Sequence, residues 1–161
     1  TLDAGQVWAF RLTANPSYSA PRGPEVRGKR YGHVTVEQQR RWLIERTPRY
    51  GFELVPVSGA AADDAASGNV AVADSAAATG ADADAVAASA SVVVVRRERP
   101  VFRRRNPDRD RRDRVTINRT VYEGMARVTD PDALRRALVA GIGRSKAYGC
   151  GLMTLARVRR G

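Results

Sequence analysis

Residues 128–156 read VTDPDALRRALVAGIGRSKAYGCGLMTLA, and their interpretation sets the fold class. Asp130 suits a helix N-cap, and Pro131 suits the first helical position, where its missing N–H costs nothing. Leu134, Ala137, Leu138 and Gly141 follow at i, i+3, i+4 and i+7, the spacing of one helical face. A glycine-rich turn over Gly141–Gly151 then delivers the chain to Leu152-Met153-Thr154-Leu155-Ala156, a short apolar stretch with strand character. Strand, helix, turn and strand make the closing half of an alternating pattern.

The same reading extends upstream. Val115 to Val128 and Val92 to Arg105 are expected to form two long strands joined by the polar turn Asn106-Pro107-Asp108-Arg109-Asp110, a basic hairpin. Gly124 in the second of them reads as the mark of a bulge. Phe52 to Val57 is another expected strand. Thr35 and Gln38 have capping-box spacing, opening a helix through Gln39, Trp42, Leu43 and Arg46 that Pro48 and Gly51 break. Val7 to Thr13 is the first strand, stopped by Asn15-Pro16. Between them, residues 15–34 hold Pro16, Pro21, Pro24, Gly23, Gly28 and Gly32, which predict a long loop. Trp42, Leu43, Leu134 and Leu138 are the expected helical core residues, with Arg40, Arg41, Arg135 and Arg136 on solvated faces. The order β-α-β-β-α-β predicts an α+β protein of ferredoxin-like (RRM-like) type, with two helices on one face of a sheet. Its other face stays free, and RNA-binding modules often use that face.

Composition narrows the partners. The 161 residues carry 28 basic and 17 acidic side chains, a net charge of +11. All the basic residues are arginine except Lys29 and Lys146. Such an excess points to a polyanion and away from a small neutral substrate. Residues 58–91 are an Ala, Asp, Ser and Gly stretch with five aspartates and no basic residue, expected to be a disordered insertion. An Ala-rich helix is the competing reading, weakened by Gly59, Gly68 and Gly80. The expected domain is thus residues 1–57 with 92–161, where 28 basic side chains face 12 acidic ones. One cysteine, Cys150, excludes an internal disulfide, and one histidine, His33, leaves too few Cys and His ligands for a four-ligand zinc site. No metal and no cofactor is implied, and a reducing, cytoplasmic setting is expected. No apolar run approaches the roughly 20 residues of a membrane span. The chain opens on Thr1 with no secretory signal, and is expected to start partway into a longer protein.

Three segments carry candidate chemistry. In the turn, Gly141, Gly143, Gly149 and Gly151 let backbone amides approach an anion closely, Arg144 and Lys146 add charge, and Tyr148 offers a stacking surface. A glycine-rich helix C-cap with no ligand explains the same glycines. A dinucleotide fingerprint needs the opposite order of strand and helix, and a P-loop needs a Gly-Lys-Ser/Thr triplet that is absent. Between Arg96 and Arg114, ten arginines meet four acids. Arg103, Arg104 and Arg105 on that hairpin are candidate phosphate contacts for an A-form stem; a solvated edge that resists aggregation is the plain alternative. The third segment, Arg27-Gly28-Lys29-Arg30-Tyr31-Gly32-His33, adds Lys29 and Arg30 as candidate RNA contacts. His33 there is a candidate proton-transfer group by its ordinary pKa, although a phosphate contact or a structural hydrogen bond before the Thr35 cap accounts for it as well. Cys150, between two glycines, reads as a small residue filling a tight turn.

Gly141 to Ala156 closely resembles the C-terminal signature of the CasE family, the repeat-processing endoribonucleases of type I-E CRISPR systems. Phe10-Arg11-Leu12-Thr13-Ala14-Asn15-Pro16, Gly28-Lys29-Arg30 and Val128-Thr129-Asp130-Pro131 resemble it too, in the family's order, as does the helix of Trp42-Leu43 that ends near Gly51-Phe52. The resemblance implies two tandem ferredoxin-like domains, of which this chain is the second. It implies binding of a CRISPR repeat stem-loop and metal-independent cleavage at its 3′ base by attack of the adjacent 2′-hydroxyl. The processed guide RNA would be retained within the Cascade surveillance complex, beside its other subunits. The family's general acid/base histidine belongs to the N-terminal domain, so this chain is expected to bind and not to cut alone. Two other classes stay open: a non-catalytic, ribosome-associated type of basic RNA-binding module, and a small nucleotide-dependent enzyme using the glycine turn.

Overall fold

The computed structural model describes residues 1–20, 29–56, 91–106 and 111–158. The stretch expected to be a disordered insertion lies outside them, apart from Ser91, which is buried. Residues 107–110 of the hairpin turn also lie outside.

Alternation of apolar and polar residues builds the strands. Strand β1 (Val7–Ala14) buries Phe10, Leu12 and Ala14 and turns Val7 and Arg11 outward. It is followed by β2 (Ser17–Ala20) and β3 (Lys29–Gly32), an antiparallel pair aligning Tyr18 with Tyr31. Helix α1 (Val36–Ile44) starts at the expected capping box, with Thr35 Oγ1 accepting from the Gln38 amide at 3.2 Å. A 3-10 turn at Pro48–Tyr50 and the left-handed Gly51 lead into β4 (Phe52–Val55). Next come β5 (Val92–Glu98), β6 (Val101–Asn106), β7 (Arg111–Thr116) and β8 (Arg119–Val128). Helix α2 (Pro131–Ala140) is capped by Asp130, whose carboxylate accepts from the Asp132 and Ala133 amides, and β9 (Met153–Arg157) closes the chain.

The main sheet is antiparallel throughout. β9 pairs β1, β1 pairs β8, and the far edge of β8 is shared by β4 and β5. Val55 faces Met125 and Val92 faces Gly124, so β4 and β5 occupy consecutive registers of one edge. One face of this sheet buries Phe10, Leu12, Phe52, Tyr122, Val128 and Met153 in a single cluster with Trp42 and Leu43 of α1 and Leu134 and Ala137 of α2. The opposite face carries mixed charge, with Arg11 against Glu123 at 3.1 Å and Arg127 against Glu53 at 2.7 Å.

Three expectations need correcting. Residues 15–34 are not one long loop, because β2 and β3 pair there. Their prolines and glycines sit at or beyond the paired stretch: Pro16 precedes it and its carbonyl accepts from the His33 amide at 2.9 Å, and Gly32 ends it. The two long strands of the basic hairpin are each broken. Pro100 has no N–H for the ladder; opposite it the Ile117 amide still donates to the Pro100 carbonyl at 3.1 Å, and the next amide, of Asn118, donates to Asn15 Oδ1. The hairpin bends there, and β6 and β7 form a separate two-stranded sheet. The bulge lies in β5, between Val94 and Arg96, and not at Gly124. Gly124 is small because a Cβ would come 2.6 Å from the Ser91 carbonyl and 3.0 Å from the Phe10 ring.

Candidate nucleic-acid interface

The bend at Pro100 and the β2/β3 pair bring separate segments to the end of the sheet where β1 stops and β8 begins. Asn15, just past β1, ties them together: its Nδ2 donates to Ser145 Oγ at 2.7 Å, and its Oδ1 accepts the Asn118 amide at 3.2 Å. Ser145 is the one non-glycine residue with positive φ among the described residues, at 64°, and opens a short 3-10 turn, Lys146–Tyr148. Arg119 braces the turn from β8, donating to the Tyr148 carbonyl at 3.1 Å while pairing with Glu98 at 3.3 Å. Phe102 of β6 packs its ring 4.8 Å from that of Tyr148.

These contacts enclose a groove of about 740 Å³, lined among others by Asn15, Tyr31, Arg99, Arg104, Asn118, Arg144, Lys146 and Tyr148. Arg99, Arg104, Arg144 and Lys146 have no acidic partner among the described residues. The open sheet face pairs Arg11 with Glu123 and Arg127 with Glu53, whereas these four cations have no acidic partner among the described residues. At such a site a polyanion supplies the missing counter-charge and releases its own condensed ions.

The structure places the sequence candidates as follows. Arg144 and Lys146 are exposed on the groove wall. On β6, alternation sends Arg104 into the groove on the Phe102 side, while Arg103 and Arg105 are exposed on the other side of the strand. Lys29 and Arg30 lie on β3, whose Tyr31 and Gly32 line the groove. Gly141, Gly143 and Gly151 have positive φ, at 78°, 83° and 96°, and a Cβ there would also come 3.2 Å from the Gly151 carbonyl, 3.1 Å from the Trp42 ring and 3.1 Å from the Ile142 carbonyl, respectively. Gly149 has open space around it and positive φ. Tyr148 is half-buried against Phe102. Arg99, Asn15, Asn118 and Tyr31 line the groove without having been singled out, and the bend that gathers them was signalled only by Pro100 between two charged runs.

His33 lies beside the groove and not in its lining. Its carbonyl accepts from Gln39 Nε2 at 2.9 Å and from Asn118 Nδ2 at 3.3 Å, which places it structurally before the α1 cap. Partial burial, aided by the Arg46 guanidinium, lowers its pKa from the usual 6.5. Cys150 is buried, and burial raises its thiol pKa, which disfavours the thiolate a nucleophile needs. Among the described residues no group of His, Cys, Asp and Glu is arranged to hold a metal ion, and no helix is long and apolar enough to cross a membrane.

An antiparallel sheet backed by two helices, with unpaired cations gathered in a groove at its end, defines an α+β protein suited to a polyanionic ligand. Residues 1–157 match the family described as CRISPR associated protein, and the chain belongs to that family. Solved structures with a similar fold include a CRISPR endoribonuclease Cse3 bound to a 19-nucleotide RNA (23% identity, TM-score 0.65, 97% of this chain and 58% of that one). Another is the CRISPR-associated protein Cas6e from Escherichia coli K-12 (20% identity, TM-score 0.59, 98% and 64%). A third is a chain of a CRISPR RNA-guided surveillance complex (23% identity, TM-score 0.52, 98% and 61%). The chain thus spans about 58% of the length of the first of these. A comparison with curated protein sequences found no match.

Proposed function

We propose that this chain is the RNA-gripping, C-terminal part of a CasE-type CRISPR repeat endoribonuclease. The observation that carries the reading is the convergence of Arg99, Arg104, Arg144 and Lys146 on one groove without acidic partners among the described residues. The strand order supports a ferredoxin-like domain made of residues 1–57 and 92–161: β9, β1, β8, then β4 with β5, all antiparallel and covered on one face by both helices. Consecutive registers at Val55 and Val92 support residues 58–91 as an insertion between them.

The ligand is the stem-loop of a CRISPR repeat transcript. Arg104, Arg144 and Lys146 in the groove meet its phosphates, Lys29, Arg30, Arg103 and Arg105 are the further candidate contacts, the glycine turn shapes the groove wall, and Tyr148 holds the hairpin against that turn. In the whole protein the 2′-oxygen next to the scissile phosphate bonds to phosphorus as its proton passes to a base. The bond to the 5′-oxygen then breaks, and that oxygen takes up a proton, leaving a 5′-hydroxyl and a cyclic phosphate. No metal enters this sequence of steps. His33 stands outside the groove, and the resemblance to the CasE family assigns the acid/base histidine to that family's N-terminal domain. The processed RNA stays in the groove and brings the protein into a Cascade assembly.

Arg144→Ala with Lys146→Ala tests the grip. Stem-loop affinity measured across a salt series should fall, with its salt slope flatter by about one unit per lost phosphate contact. An unchanged slope removes both residues from the interface. The longer protein should cut its own repeat in EDTA; an intact repeat would favour a non-catalytic RNA-binding module.

A further inference from the structure

We infer that the β2/β3 hairpin carries a binding site for unpaired nucleobases, an aromatic ladder of Tyr31, Tyr18 and His33 that takes a single RNA strand out of the groove. The inference rests on the RNA-binding reading above and adds a second, single-stranded ligand class to it.

Tyr31 lines the cationic groove. Directly across the strand pair stands Tyr18, its ring 5.7 Å from that of Tyr31 and inclined by 28°. The His33 ring follows 5.0 Å from Tyr18. Tyr18 and His33 then wall a second cavity of about 250 Å³, whose rim includes Gln38, Arg41 and Glu45. Three π-faces therefore run unbroken from the groove to a separate pocket. Tyr18 and Tyr31 are 48% and 40% exposed, whereas the Tyr122 ring is fully buried in the core. A lowered pKa keeps His33 neutral at pH 7, a flat ring without charge, and Arg41 supplies a cation beside it. Bases of any identity stack on such faces, so the site reads single-strandedness and not sequence. Cross-strand tyrosines also stabilise a hairpin, but that role gives no reason for the third ring or for a cavity at each end of the row.

The test compares two RNAs on this chain: a blunt stem-loop, and the same stem-loop with a single-stranded tail containing 2-aminopurine, placed at either end. The tail should tighten binding by about tenfold for each stacked base and quench the 2-aminopurine fluorescence. Tyr18→Leu, alone and with His33→Leu, lies outside the groove lining and should abolish the gain and the quenching while leaving blunt stem-loop affinity unchanged, and Tyr18→Phe should retain both. A tail that adds nothing at either end, or leucine variants that still gain from the tail, overturns the inference. So do folded leucine variants, checked by circular dichroism, that weaken both RNAs equally. Wild-type chain that fails to bind the blunt stem-loop overturns the RNA-binding reading itself, a separate and visible outcome.

Discussion

Asn15 and His33 anchor the candidate site through hydrogen bonds that residue type alone does not announce. Asn15 is legible in the sequence as the stop of β1, because Asn-Pro ends strands; its two hydrogen bonds across 130 and 103 positions are not, since they depend on where Ser145 and Asn118 arrive. His33 is the chain's only histidine, which makes its titration readable. Burial and Arg46 depress its folded pKa below 6.5, with Glu45 acting in the opposite direction. Well above pH 6.5 the ring is neutral folded and unfolded, so its contribution to stability is fully present. Below that pH the unfolded chain takes up the proton first, and the contribution is lost as pH falls through the depressed folded value. Urea midpoints should therefore decline from pH 7 toward pH 5.5 in the wild type, and His33→Phe, which keeps a ring against Tyr18, should flatten that decline. Parallel slopes in the two proteins would mean that His33 is not the titrating group.

At the scale of elements, the parts written in local rules were readable and the parts written in long-range geometry were not. The Thr35 and Asp130 caps and the burial of Trp42, Leu43 and Leu134 follow from spacing and chemistry close in sequence, and the structure has them. The β2/β3 pair was hidden because its eight residues stand among prolines and glycines that suggest a loop. The kink was hidden because Val92–Arg105 carries branched and basic residues on both sides of Pro100, and only the loss of one amide from the ladder reveals it. Alternation after the bend puts Phe102 and Arg104 on the glycine-turn side, with Arg103 and Arg105 on the other. If the RNA lies in the groove, Arg104→Ala should cost more affinity for a stem-loop than Arg103→Ala, by about 2 kcal/mol for a charge-assisted contact. Equal costs in a filter-binding titration would mean that the ribbon straddles the RNA and uses both of its faces.

For the molecule as a whole, the sheet edge beside β8 is the feature that decides how residues 56–91 relate to the rest. Phe52, Glu53, Leu54 and Val55 sit opposite Val128, Arg127, Ala126 and Met125, and Val92, Val93 and Val94 continue opposite Gly124, Glu123 and Tyr122. No register is skipped. Phe52, Leu54, Val92 and Val94 fall on the same face by alternation, and all four belong to or pack against the core cluster. A chain in which Val55 is joined directly to Val92 would therefore keep both the ladder and the inward face of a single strand. Closing a segment of this length costs on the order of 3 kcal/mol of chain entropy if it behaves as a flexible coil. Its removal should leave the melting temperature unchanged or raise it by several degrees, and stem-loop affinity should hold, because none of the groove residues comes from the deleted part. Differential scanning calorimetry on the joined chain checks the first expectation and a binding titration the second. A fall of about ten degrees, well beyond what one lost surface contact explains, would mean that residues 56–90 pack on the domain in addition to the buried Ser91.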